Sequence, residues 1–167
     1  MAHVSQFNFV SELIEHRGKT LSETPYILHE DKKISFAKYD AWTCRAANGL
    51  KLQGAKPGDG LAVLMGNCPE YLYLFYGMPR GGFYTVPINV SLKGDGLGFI
   101  LTHSDVKFLV LDDVFYEKVE ALGSTVNSIK KIFVRRTTSR PLPAGTMDLG
   151  ELLDASPEKP DHTMDPD

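Results

Sequence analysis

Short apolar segments alternate with helix-length segments through the middle of this chain. Four segments have the length and composition of strands that are covered on both faces. They are residues 61–65, 83–88, 106–111 and 130–134. The segments between them, residues 71–78, 97–102 and 114–122, are predicted to be helices. Strands separated by helices indicate right-handed crossovers, so the pattern predicts an α/β fold with a largely parallel sheet flanked by helices.

The first third of the chain predicts a helix, a β-hairpin and a longer helix. Ser5 is a candidate cap for the first helix, whose apolar stripe ends near Gly18. Two short strands, residues 25–29 and 33–35, follow around a charged turn. Ser35 then caps a second helix that Gly54 ends. A further short helix is predicted over residues 148–153.

Two helix starts carry special residues. The run Asn67-Cys68-Pro69-Glu70 has a capping residue, a proline in the first turn and an acid near the positive end of the helix. The run Gly94-Asp95-Gly96-Leu97-Gly98 is rich in glycine, but a dinucleotide fingerprint needs glycine at position 99, where Phe99 stands. We therefore interpret it as a frayed start, and we expect that helix to begin late and to move more than its neighbours.

Composition divides the chain into three parts. Residues 1–56 form the helix, hairpin and long helix, residues 57–137 form the parallel α/β part, and residues 138–167 form an acidic linker with prolines. The last 20 residues carry a net charge of −6, although the whole chain carries only −3. Such a composition is typical of a linker or of a loop docked on another surface. The overall negative charge argues against a nucleic-acid partner.

The usual catalytic and metal-binding patterns are missing. The sequence has no phosphate loop of the GxxxxGK[ST] type, no HExxH and no GxSxG. Its five histidines show no ligand spacing, so no metal site is predicted. Cys68 stands at a helix start that could activate a thiol, but no base is beside it, and a capping role explains it better. Cys44 is predicted to be a small core residue.

A group of aromatic residues allows two interpretations, a wall for an acyl ligand or ordinary core. They are Tyr71, Tyr73, Phe75, Tyr76, Phe83 and Tyr84. Core is favoured because buried helices of α/β sheets have this composition.

Five stretches, in order and at the expected spacing, make the chain resemble the amino-terminal part of the adenylate-forming (AMP-binding) superfamily, in particular the acyl-CoA synthetases. They are KKISFAKY at 32–39, GAKPGD at 54–59, GNCPEY at 66–71, GGFYTVPIN at 81–89 and residues 92–105 with the ending ILTHSD. The NCPEY and VPIN versions are most similar to fatty-acyl-CoA ligases or crotonobetaine/carnitine-type CoA ligases.

The resemblance implies a two-step ligase. A carboxylic acid, in this case a fatty acid, attacks the α-phosphate of ATP with Mg²⁺, and the thiol of CoA then displaces AMP. The family's phosphate loop, ribose-binding Asp and catalytic Lys lie further along its sequences. We therefore assign no catalytic residue, and we expect residues 1–167 to be an inactive fragment that binds none of these cofactors tightly.

The resemblance gives one weak binding candidate. Many members carry a basic residue two positions after the Asn of the PxN motif, and in some it faces the phosphates of CoA. Here that position is Ser91, and Lys93 is the nearest substitute. The alternative interpretation of Lys93 is a solvated lysine at a helix start.

Two other functions stay open from sequence. One is an adenylating enzyme that loads the phosphopantetheine arm of a carrier protein, and the other is a stand-alone, non-catalytic binding module. Apolar residues of the first third, Tyr26, Leu28, Phe36 and Trp42, are expected to lack partners, so we also predict self-association or a loosened N-terminal third.

The cysteine content and the hydrophobic pattern bear on location. The two cysteines stand in unrelated contexts, and the first five residues lack a leader pattern, so the cytoplasm is expected. The longest stretch without a charged residue is 12 residues, whereas a membrane-spanning helix needs about 20 apolar residues.

Overall fold

The computed structural model describes residues 7–162, and within them a five-stranded parallel sheet forms the centre of the fold. Its spatial order is β4-β3-β5-β6-β7. The strands are β3 (Gly60–Leu64), β4 (Tyr84–Pro87), β5 (Phe108–Asp112), β6 (Lys131–Arg135) and β7 (Met147–Asp148). Every residue of β3 and β5 is buried, as a strand covered on both faces requires. The predicted α/β fold with a parallel sheet is confirmed.

Helices cover both faces of this sheet. On one face lie α2 (Phe36–Leu52), α3 (Pro69–Gly77) and α6 (Leu149–Leu153), which share a core cluster with alternate residues of β3 and β5. On the other face lie α4 (Gly94–His103) and α5 (Tyr116–Glu120) with the remaining alternate residues. Short 3₁₀ turns complete the connections at Met78–Gly81, Asp113–Phe115 and Gly123–Val126.

The N-terminal part adds an outer layer over α2 and α3. It consists of α1 (Val10–Thr20) and an antiparallel hairpin of β1 (Pro25–His29) and β2 (Lys32–Ser35). The Ser35 side chain accepts a hydrogen bond from the backbone N–H of Lys38, which confirms the predicted cap of α2. Gly54, with φ of +93°, follows the end of that helix in the left-handed conformation that favours glycine. The predicted cap Ser5 lies outside the described residues.

Of two predicted helix starts, one is confirmed and one is wrong. The N-cap of α3 is Cys68, within the predicted capping run, and Pro69 takes the first helical position. Helix α4 begins at Gly94, three residues before Leu97, so its glycines do not delay it. Gly94 has φ of +54° and therefore suits the turn into the helix.

The apolar surface of the N-terminal layer is smaller than the sequence predicts. Tyr26 and Leu28 are 48% and 70% exposed. Phe36, however, stacks on Tyr26 with ring centres 4.5 Å apart, and Trp42 stacks on Tyr73 at 5.5 Å. The expectation of missing partners thus fails for Phe36 and Trp42, because rings of the hairpin and of α3 pack on them.

Candidate functional site

The strand order creates a crevice at the carboxyl edge of the sheet. From β3 the chain passes through α3 to β4 on one side, and from β5 it passes through α5 to β6 on the other side. Because the two connections leave in opposite directions, neither covers the gap between the ends of β3 and β5. Open α/β sheets bind ligands at such a point, so this switch-point crevice is the candidate site that the topology defines.

A carboxylate closes the floor of the switch-point crevice. Asp112, at the end of β5, is 3% exposed. Its Oδ2 accepts a hydrogen bond of 2.8 Å from the backbone N–H of Gly66, which follows β3. Arg135, at the end of β6, donates to both oxygens at 2.7 and 3.1 Å. The bidentate pair joins the ends of three neighbouring strands at one carboxyl group.

Arg135 extends this network to α3. Its Nη1 lies 3.6 Å from Oε2 of Glu70, in the first turn of that helix. Burial alone would lower the pKa of Arg135, but the hydrogen bonds to Asp112 and the two nearby carboxylates raise it. The guanidinium is therefore a fixed positive charge between two negative ones. Such a group orders the loops around the crevice rather than exchanging protons.

The next residue, Asp113, holds the loop after β6. Its carboxylate accepts hydrogen bonds from the backbone N–H groups of Thr137 and Thr138, at 3.1 and 3.0 Å, and from both hydroxyls. Burial alone would raise the pKa of Asp113, but these hydrogen bonds hold it well below its usual range. The two consecutive aspartates thus fix two different loops at the same edge.

Cys68, two residues after Gly66, has a buried thiol. It is 6% exposed, and burial raises its pKa to about 11 although it stands at the start of α3. Desolvation therefore outweighs the helix terminus here. Cys44 is buried as well, and burial raises its pKa. Neither thiol has the low pKa of a nucleophile.

Lys93 lies at the same edge of the sheet, one connection away from the crevice. It is the N-cap residue of α4, is exposed, and makes no hydrogen bond or ion pair among residues 7–162. The loop before it is ordered by the Asn89 side chain, which accepts from the backbone N–H of Ser91 at 2.9 Å. Lys118 donates to the carbonyl of Val90, so this second lysine neighbours the same loop.

The aromatic group of α3 and β4 is only partly core. Tyr73 and Phe83 are buried, whereas Tyr84 is 37% exposed and its hydroxyl donates to the carbonyl of Ser104. Tyr71 and Phe75, half-buried, stack along one side of α3 with ring centres 6.3 Å apart. Within this group, therefore, Tyr73 and Phe83 belong to the core, and the other members are partly accessible to solvent.

The described residues contain neither a cluster of metal ligands nor a membrane-spanning helix. Among residues 7–162, no three histidine, cysteine, aspartate or glutamate side chains come close enough together to hold a metal ion. In the same range, no helix is both long and apolar enough to cross a membrane.

Sequence reasoning missed the residues that organise the crevice, Asp112, Asp113 and Arg135. A signal was present: two aspartates directly follow a buried apolar strand, where charge is rare unless it is paired. The partners of Asp112 lie 46 residues earlier and 23 residues later in the chain, so local spacing does not reveal them.

The fold and the crevice define an open, parallel α/β domain with its edge residues held by ion pairs. The family model described as AMP-binding enzyme matches residues 14–166. The chain belongs to the AMP-binding enzyme family, and the resemblance seen in its sequence is confirmed.

Individual relatives are CoA ligases. The chain is 29% identical over 102 residues to 4-hydroxybutyrate–CoA ligase 2 of Metallosphaera sedula, which is 61% of this chain and 19% of that protein. It is 34% identical over 85 residues to crotonobetaine/carnitine–CoA ligase of Salmonella typhi, 51% of this chain and 16% of that ligase. The chain therefore matches less than a fifth of the length of these relatives.

Solved structures share the fold. Anthranilate CoA ligase AuaEII superimposes with a TM-score of 0.83 at 17% identity, over 91% of this chain and 29% of that one. A fatty acyl CoA synthetase of Mycobacterium tuberculosis superimposes with a TM-score of 0.79 at 22% identity, over 92% and 30%.

Proposed function

We propose that this chain is the amino-terminal part of the adenylation domain of an acyl-CoA ligase. The observation that carries the proposal is the superposition on a CoA ligase over 91% of this chain but 29% of that enzyme. In such an enzyme the acid carboxylate attacks the α-phosphate of ATP, supplied with Mg²⁺, and pyrophosphate leaves. The CoA sulfur then attacks the acyl carbonyl carbon, and AMP leaves.

In this proposal the chain's role is to support the reacting groups, not to react. The paired residues Asp112 and Arg135 hold the carboxyl ends of three strands in one place. Such support matters because catalysis by positioning is sensitive to shifts of about 1 Å. The buried thiol of Cys68, with its raised pKa, has no part in the chemistry.

The test compares the isolated chain with the longer ligase that contains it. Each is mixed with ATP, Mg²⁺, CoA and a carboxylic acid, and pyrophosphate and thioester are measured. We expect no pyrophosphate from residues 1–167 alone, and acid-dependent pyrophosphate followed by acyl-CoA from the longer protein. Turnover by the isolated chain contradicts the inactive role, and thioester formed only on a carrier protein contradicts the choice of CoA.

Fatty acids are the proposed acid class, on the strength of the sequence resemblance and of the structural match to a fatty acyl CoA synthetase. The other matches are named for hydroxybutyrate, crotonobetaine or carnitine, and anthranilate. A panel with one acid of each type, at equal concentration, decides among them. A fatty acid should give the highest kcat/KM, and a preference for an aromatic or zwitterionic acid contradicts the assignment.

We propose that Lys93 contacts the CoA phosphates. Its ammonium group is exposed and unpaired among the described residues, and it stands where backbone N–H groups of α4 point outward. Asp95 in the first turn opposes an anion, so the expected contribution is modest.

A substitution tests Lys93. In the ligase, Lys93→Gln should raise KM for CoA about 3- to 10-fold, a range typical of one partly exposed charge contact, while KM for ATP stays the same. Lys33→Gln, which removes an exposed lysine on the hairpin, is the matched control. An unchanged KM for CoA shows that Lys93 is only a solvated lysine.

Two further proposals concern location and association. We propose the cytoplasm because both cysteines are free, buried thiols.

We also propose that the isolated chain self-associates through the exposed side chains of Tyr26 and Leu28. Sedimentation of the chain at several concentrations, with Leu28→Ser as comparison, tests this. A monomer at all concentrations contradicts it.

A further inference from the structure

The acidic end of the chain lies along α2 in a defined path. After α6, residues 154–162, which we name the C-terminal strap, have no helix or strand of their own. Ala155 and Pro160 are nevertheless buried, at the two ends of this segment. A segment without regular structure keeps such a path only when its backbone groups find partners outside itself.

Two side chains of α2 supply those partners. Arg45 donates from Nη1 to the carbonyl of Ala155 at 2.6 Å. Asn48 donates from Nδ2 to the carbonyls of Ser156 and Glu158, at 2.9 and 2.8 Å. The contacts join residues about 110 positions apart in sequence. They end on main-chain oxygens, so they fix the path of the backbone whatever side chains the strap carries.

Arg45 is held in place by an aromatic ring of its own helix. The guanidinium of Arg45 lies 5.4 Å from the ring centre of Trp42, one turn earlier on α2. Trp42 is itself stacked on Tyr73 of α3. Gly49, on the same face of α2, brings α6 against the helix backbone: a Cβ there would lie 1.8 Å from the carbonyl oxygen of Leu152. Helix α6, which leads into the strap, is therefore held against α2, as the strap itself is.

The far end of the strap reaches two other elements. Lys159 pairs with Glu15 of α1 at 2.9 Å. The His162 ring packs on Gly82, where a Cβ would lie 2.7 Å from the imidazole. Gly82 follows the turn that leads into β4. The strap therefore ends beside the start of this edge strand of the sheet.

We propose that Arg45 and Asn48 are positioning residues that hold the C-terminal strap on α2 and so fix the place from which the ATP-binding part of the ligase continues. This inference rests on the proposed function, which puts that part of the enzyme on the carboxyl side of this chain. A released strap leaves the sheet intact but lets the following segment move relative to it. ATP binding should then weaken more than the chemical step.

Asn48→Asp is the sharpest test, because the side chain keeps its shape but presents oxygen instead of N–H to two carbonyl oxygens. Arg45→Met removes the other donor and keeps a stem of similar length. Lys38→Gln, an exposed position on the same helix whose side chain does not touch the strap, is the control.

The first readout is cleavage after Glu158 by a glutamate-specific protease, since Asn48 holds the carbonyl of that bond. On the 167-residue chain, each variant should be cleaved about 5-fold faster or more, which is the effect of one typical lost hydrogen bond. The urea midpoint of the chain reports whether the sheet stays folded. Unchanged cleavage in both variants overturns the proposal.

The second readout uses the longer ligase. Both variants should raise KM for ATP about 5-fold or more, with a smaller change in KM for the acid, and the control should match wild type. Faster cleavage with an unchanged KM for ATP means that the strap is only structural, and this overturns the positioning role. A wild-type protein that releases no pyrophosphate contradicts the proposed function instead, and the protease result still decides whether α2 holds the strap.

Discussion

The two faces of the sheet are covered by helices that use glycine in opposite ways. On the α2–α3 face, Gly77 lets two helix backbones touch, since a Cβ there would lie 2.5 Å from the carbonyl oxygen of Thr43. On the α4 face, a Cβ on Gly96 would only reach Leu92, at an ordinary distance of 3.6 Å. Glycine in the first case is required by packing, and in the second it weakens a helix without a steric reason. A glycine therefore marks a close helix contact on the first face but not on the second.

The comparison is tested most strongly by Gly77→Ala. The backbone of Gly77 is helical, with φ of −80° and ψ of −40°, so the conformation itself favours alanine and any destabilisation comes from the clash. We expect the free energy of unfolding to fall by about 3 kcal/mol, the upper part of the range for overpacked cores. Urea denaturation measures it. A loss below about 0.5 kcal/mol would show that the two helices separate freely at this point.

Acid titration tests whether the carboxylate of Asp113 stabilises the loop after β6, on the same face of the sheet as α5. Because its pKa in the folded protein lies below the value of about 3.9 for an unfolded chain, Asp113 stabilises the fold above that pH and loses this effect as the pH falls. Asp113→Asn should lower the free energy of unfolding by about 1–3 kcal/mol at pH 7.

The variant should also respond less to acid. Between pH 5 and pH 3 its stability should fall less steeply than that of wild type, because the group that binds a proton on unfolding is gone. Equal slopes in the two proteins would mean that Thr137 and Thr138 do not stabilise the charged carboxylate. Thr138→Val, which keeps the carboxylate but removes one donor, should give an intermediate slope.

Gly96→Ala should have the opposite sign to Gly77→Ala. The position is helical and its nearest contact is in ordinary range, so alanine should raise the free energy of unfolding by about 0.5–1 kcal/mol. The thermal midpoint is a convenient measure. Destabilisation by Gly96→Ala would remove the proposed difference between the two faces.

The smallest effect is expected from the ion pairs at the end of the strap. Hydrogen bonds from Lys19 and Lys159 lower the pKa of Glu15 to about 2, but both lysines are exposed. Glu15→Gln should therefore cost about 0.5 kcal/mol in low salt and almost nothing in high salt. Glu23→Gln, at an exposed position without an ion pair, is the control. A loss of stability that persists in high salt would show that Glu15 stabilises the fold through contacts other than exposed ion pairs.

Much of the fold was visible in the sequence because its signals are local. The cap at Ser35, the stop at Gly54, the hairpin and the order of strands and helices each depend on a few neighbouring residues. Boundaries were less certain where local rules conflict. At α4, three glycines predict a late start, but the helix begins at Gly94, whose left-handed backbone suits the turn into the helix.

The candidate site was less predictable. Lys93 came from resemblance alone, and its role stays a prediction. The fall or rise of the Cys68 pKa could not be decided from its place at a helix start, because burial has the larger effect and depends on distant residues.

By itself, the sequence determined four of the five strands of the sheet and most helices, that the sheet is parallel, and to which family the chain belongs, but it did not predict β7. Only the tertiary structure decided which residues meet: Asp112 with the N–H of Gly66, and Arg45 with the carbonyl of Ala155. The physical reason is that local hydrogen bonds and apolar spacing act over a few residues, whereas these contacts depend on strand order and on how whole layers pack.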